Sequence, residues 1–102
     1  MDEESPLYLL KKKKGFFLAV LKLTEAESSL SLSDLEQSLR QKRILLSCIK
    51  RVDEELESFQ NYLKETSSPK IHQELIEIRL LIEKVLSLDE THYTQRRQSI
   101  NL

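Results

Sequence analysis

Across residues 34–66 the chain has no glycine or proline, and an apolar residue returns every three or four positions. Leu35, Leu39, Leu46, Ile49, Val52, Leu56, Phe59 and Leu63 step by three, four or seven, a spacing that lays side chains along one stripe of an α-helix. The pattern predicts one amphipathic helix of roughly 50 Å at 1.5 Å per residue. A rod of that length is expected as the central element of elongated helices packed side by side, presenting a groove or seam.

Two further helices follow from the punctuation. Ser5 and Pro6 suit the cap and first turn of a helix over about 6–29, where the missing proline N–H costs nothing. The four lysines at 11–14 point in all directions around such a helix, so at least one lies near the buried side with its ammonium reaching outward. Gly15 weakens the helix by about 1 kcal/mol relative to alanine, which predicts a frayed or bent start and a firm stretch from Phe16 to about Ser28. Phe16, Phe17, Val20, Leu21 and Leu23 cover more than one narrow stripe, as a helix touching two neighbours requires.

The serine-rich segment 28–33 interrupts the pattern, because serine prefers caps to helix interiors. Either Ser33 with Glu36 or Ser31 with Asp34 can cap the second helix, about 33–66, the latter with Leu30 stapled against Leu35. Ser68 and Pro69 then open a third helix, about 69–91, with Ile71, Leu75, Ile78, Leu81, Ile82, Val85, Leu86 and Leu88 on its apolar side. Beyond Asp89 the stripe thins, and residues 93–102 are expected to form a mobile tail. The fold class is all-α, and short connections predict an antiparallel up-down-up bundle in a single domain. Glu36 with Arg40, Lys50 with Glu54, Arg51 with Glu55 and Arg79 with Glu83 stand four apart and mark solvated faces.

Composition adds exclusions. One glycine and two prolines in 102 residues leave few turns, and 39% hydrophobic residues suit one modest core. The net charge is −1, and thirds of the chain sum to 0, −1 and 0, so no segment carries a nucleic-acid footprint. Cys48 is the one cysteine, which excludes an internal disulfide and fits a reducing compartment. The lysines followed by six apolar residues superficially resemble a signal peptide. Lys22 breaks that run, acidic residues precede it and no small-residue cleavage site follows, so a cytoplasmic protein is expected.

Candidate chemistry is sparse. His72 and His92 lack cysteine or paired carboxylates at ligand spacing, and each is expected in a surface or helix-end role rather than on a metal. Cys48 lies mid-helix, where a small buried hydrophobe is the default reading. No phosphate loop, nucleophile elbow or HExxH motif occurs, and no enzymatic activity or cofactor is expected. Arg40, Lys42, Arg43 and Gln95 could clamp a dicarboxylate as small helical chorismate mutases do, but those enzymes place the longest helix first. The lysine run reads as a solvated cluster, or as a patch attracting an anionic surface.

Leu35, Lys42 and the pair Leu45-Leu46, followed by Ile49, Val52 and Leu56, resemble the start of the long second helix in FlgN-type export chaperones. That pattern is a leucine, a lysine seven residues on and a leucine pair three residues later. Glu25-Ala26-Glu27 with Leu30 is similar to the acidic, leucine-ended close of the family's first helix. The resemblance covers about a third of the chain, residues 25–56. The shorter loop and chain are nearer to FliT-type chaperones or the small helical chaperones of virulence type III secretion.

The resemblance implies a cytoplasmic, non-enzymatic chaperone that binds an amphipathic helical segment of a secreted substrate, prevents its premature assembly and hands it to export gate or ATPase components. The third helix is the expected contact region, through Leu75, Ile78, Leu81, Ile82, Val85 and Leu88. The rival reading is a structural coiled-coil assembly protein that homodimerises through helix two. Two successive steps of three between Leu46 and Val52 argue mildly against an uninterrupted heptad there.

Overall fold

The structure, a computed structural model, describes residues 3–100, with the side chains of residues 99 and 100 left aside. It is all-α, with no strand among the described residues. Helix α1 spans Glu4–Ala26 and closes through a 3-10 turn, Glu27–Ser29; α2 spans Leu32–Leu56. A second 3-10 turn, Glu57–Phe59, leads into the short α3, Gln60–Glu65, and α4 spans Pro69–Ile100.

Helix α1 begins at Glu4, with Glu3 before it and no side-chain cap, so Ser5 lies inside the helix and does not cap it as expected; the starts of α2 and α4 do obey local chemistry. Ser31 caps α2, its hydroxyl accepting from the Asp34 N–H at 3.3 Å, so the second of the two expected caps is the one used. Ser68 caps α4 through the Ile71 N–H at 3.3 Å, and its own hydroxyl donates to Glu3 Oε1. Helix α1 runs unbroken through Gly15. The expected single rod over 34–66 is instead tightened at residues 57–59. There the Ser58 hydroxyl donates to the Glu55 carbonyl at 3.1 Å, the back-bonding that competes with regular helix. Helix α4 also passes the expected end near residue 91 and remains helical to Ile100; residues 101 and 102 lie outside the described part.

The burial pattern is a heptad on all three long helices. In α1 and its closing turn it runs Pro6, Leu10, Lys13, Phe17, Val20, Thr24 and Glu27; in α2, Leu35, Ser38, Lys42, Leu45, Ile49, Val52 and Leu56; in α4, Ile71, Glu74, Ile78, Leu81, Val85, Leu88 and His92. Every one of these is buried or half-buried, and successive members alternate by three and four. The α2 stripe expected through Leu39 and Leu46 is therefore rotated: Ser38 is buried where Leu39 is half-buried, and Leu46 is 48% exposed while Leu45 packs inward. The apparent break in the heptad disappears once the polar seam positions are included.

Leu9, Leu10, Val52, Leu56, Ile71 and Ile78 form one buried cluster, and Val20, Leu21, Ile49 and Val85 a second. Phe16 and Phe17 pack against both. Helix α1 packs along α2 and along α4, which approach each other less closely, so α1 and not α2 is the central element. The wide apolar face of α1 carries that position. The molecule measures 57 × 20 × 17 Å.

The lysine run is divided. Lys13 Nζ lies 2.7 Å from Asp53 Oδ1 on α2, and Lys14 Nζ lies 2.7 Å from Glu74 Oε2 and from Glu77 Oε2 on α4. Neighbouring residues of the central helix thus pair to opposite sides, while Lys11 and Lys12 stay exposed. Of the four expected i to i+4 pairs, Arg79 with Glu83 alone comes within ion-pair distance among the described residues, at 3.9 Å.

Candidate functional site

The six apolar residues expected to contact a partner belong to the core. Ile78 and Val85 are buried, and Leu75, Leu81, Ile82 and Leu88 are half-buried against the two clusters. Helix α1 lies along the same stripe. Leu86, also expected on the apolar side of α4, is 61% exposed, and with Ile76 and Leu80 it belongs to the outer surface.

Where α1 ends, a polar knot replaces the apolar seam. Glu27 is held by the 3-10 turn with its side chain 2% exposed. Lys42 of α2 donates to Glu27 Oε1 at 2.7 Å and to Asp89 Oδ1 of α4 at 3.2 Å. The other Glu27 oxygen accepts from His92 Nδ1 at 3.3 Å, a contact that needs the proton on Nδ1 because a carboxylate only accepts. His92 is therefore buried, contrary to the surface role expected of it; His72 does sit at a helix start, where its ring Nε2 donates to the Thr66 carbonyl at 2.8 Å. Lys42 sits at the centre of this knot. Its ammonium faces two carboxylates of its own chain, and Arg40 and Arg43 are exposed, so these cations do not form the dicarboxylate clamp considered from the sequence.

Beside the knot is an open hollow of about 480 Å³, lined by Ser28, Leu30, Leu35, His92, Gln95 and Arg96 together with Glu27. Leu30 and Leu35 are both half-buried and both line it. No group of three or more His, Cys, Asp and Glu side chains among the described residues could hold a metal ion. Cys48 is half-buried with a free thiol.

A different surface is apolar and open. Between α1 and α2 runs a groove of about 500 Å³, lined by Ala19, Lys22 and Leu23 on one side and Gln41, Ile44 and Leu45 on the other. Leu45 is half-buried and belongs to the seam, whereas Ile44 is 64% exposed. An exposed β-branched residue lining a groove contributes nothing to the core of its own chain, and hydropathy alone does not separate it from the leucines beside it. Comparison with known proteins found no matching family model, no matching curated protein and no matching solved structure. No helix among the described residues is long and apolar enough to cross a membrane.

Proposed function

We propose that this protein is a non-enzymatic chaperone of the FlgN/FliT type, which holds an amphipathic helical segment of a type III export substrate in the cytoplasm before secretion. The observation that carries the reading is the groove between α1 and α2, lined by Ala19, Leu23, Leu45 and exposed Ile44. A helix laid in such a groove buries its apolar face through anchors spaced three and four apart. The α4 stripe is committed to the core and is not part of the proposed contact.

The arrangement we propose is up-down-up. Glu3 with Ser68, Lys14 with Glu74 and Glu27 with His92 support α4 running alongside α1 in the same direction. Lys13 with Asp53 and Glu27 with Lys42 support α2 running the opposite way. The heptad of α2 is spent against α1, so homodimerisation through that seam would require opening the molecule, which weighs against the structural coiled-coil reading.

The test is Ile44→Asp. Its side chain is exposed, so thermal melting should be unchanged while binding to a synthetic terminal helix of a type III export substrate is lost. Binding equal to that of the unaltered protein would refute the groove.

A further inference from the structure

The hollow beside the Glu27–Lys42 knot is lined by polar groups that the knot does not use. The His92 side chain is 9% exposed, and its Nδ1 proton is committed to Glu27 Oε2. Its Nε2 has no hydrogen-bond partner among the described residues and is not closed off from solvent, so it is the ring atom offered to the hollow. With the proton on Nδ1, Nε2 carries a lone pair and accepts. The Glu27 carboxylate also lines the hollow, but its charge is answered by Lys42 Nζ at 2.7 Å. Arg96 stands four residues after His92, on the same side of α4 and roughly 6 Å further along it, and lines the same hollow. It is exposed, and no carboxylate among the described residues lies within ion-pair distance of it. Asp34 and Glu36, the acidic neighbours of Leu35, do not line the hollow, whose apolar lining is Leu30 and Leu35.

We propose that this hollow binds a small carboxylic acid that carries an apolar body and, at the end away from the carboxylate, a hydroxyl group; a para-hydroxyphenyl acid is the simplest form. The hydroxyl donates to His92 Nε2, the carboxylate pairs with Arg96, and the ring lies against Leu30 and Leu35. Each part answers a group that the fold leaves without a partner. A bare imidazole nitrogen on a nearly buried ring takes a donor, an unpaired guanidinium takes a carboxylate in its planar fork, and leucine side chains take an apolar body. The hydrogen bond to Glu27 fixes the tautomer and the plane of the ring, so Nε2 is presented as an acceptor before a ligand arrives. The volume of about 480 Å³ falls within the range of about 300 to 1,000 Å³ of small-molecule sites. This hollow shares no lining residue with the groove between α1 and α2, so the site and the chaperone reading stand or fall separately.

The test titrates the full chain, followed by two-dimensional NMR, with para-hydroxyphenylacetate, with phenylacetate, which lacks the hydroxyl, and with tyramine, which has an ammonium in place of the carboxylate. Para-hydroxyphenylacetate should bind with a Kd of about 1 mM or below and shift the signals of Leu30, Leu35 and His92. Phenylacetate should bind roughly tenfold more weakly, because Nε2 then loses its donor, and tyramine should be weakened by a similar factor through Arg96. Arg96→Gln alters an exposed side chain, so it should leave the far-ultraviolet circular dichroism melt unchanged and remove the advantage over tyramine while keeping the advantage over phenylacetate. Phenylacetate binding as tightly as its hydroxylated form would overturn the role of Nε2 and the ligand class with it. Tyramine binding as tightly would do the same for Arg96. Shifts confined to another part of the molecule, or no shift with para-hydroxyphenylacetate well above millimolar concentration, would overturn the site itself.

Discussion

Lys42 Nζ and Glu27 Oε1 lie 2.7 Å apart in a region where each side chain is at most 10% exposed, and the contact joins the closing turn of α1 to α2. Removing one partner of a buried ion pair leaves the other charge desolvated, whereas removing all partners does not. Lys42→Met is expected to destabilise the protein by about 3 kcal/mol. The triple change Glu27→Leu, Lys42→Met and His92→Leu should recover to within about 1 kcal/mol of the original. Urea unfolding of both variants checks this; a triple variant weaker than the single one would mean that the knot contributes net stability.

A pair of adjacent leucines tests the heptad register. Leu45 packs against the cluster around Val20 and Ile49, while Leu46 is 48% exposed. Leu45→Ala should cost about 2 kcal/mol, and Leu46→Ala should stay within about 0.5 kcal/mol. Equal midpoints in urea would place both residues in the seam and remove the register described above.

These two residues also show what could be read from the chain. Helix content, a cap at Ser31 or Ser33, the Ser68 cap and the two-sided apolar face of α1 follow from local rules, and the structure has Ser31 as the first of these caps and Ser68 as the second. The register of α2 did not follow, because its seam includes Ser38 and Lys42, and a search for apolar spacing substitutes the nearest leucine for a buried polar residue. His92 was missed for the same reason: its burial depends on Glu27, sixty-five residues away, and nothing near it in sequence announces that partner. The groove was hidden because exposure of Ile44 is decided by where α1 lies, not by hydropathy.

Gly15 offers a gain in stability. A methyl group added there meets nothing within 4 Å, and α1 is regular through the position. Gly15→Ala should therefore stabilise by about 0.5 to 1 kcal/mol, through the lower entropy of the unfolded chain. Differential scanning calorimetry should show a rise of about 4 °C. A lower melting temperature would mean that α1 needs the freedom of glycine.

The last prediction concerns pH. Hydrogen bonding to Glu74 and then to Glu77, against the cost of burial, raises the Lys14 ammonium above its ordinary value of 10.5. Hydrogen bonds from the Gln73 amide and then from Lys14 hold Glu77 below the ordinary 4.5. The raised group contributes stability that is fully present below pH 10.5 and is lost as pH rises through its folded value; the lowered one contributes above pH 4.5 and is lost as pH falls through its own. The stability difference between the unaltered protein and Lys14→Gln should therefore form a plateau across neutral pH and shrink at both ends. Because the Glu77 side chain is 38% exposed, added salt at about 1 M should lower the plateau. Urea midpoints across the pH range decide the matter: a difference that does not vary with pH would show that Lys14 acts by packing its methylene stem along α4 and not by its charge.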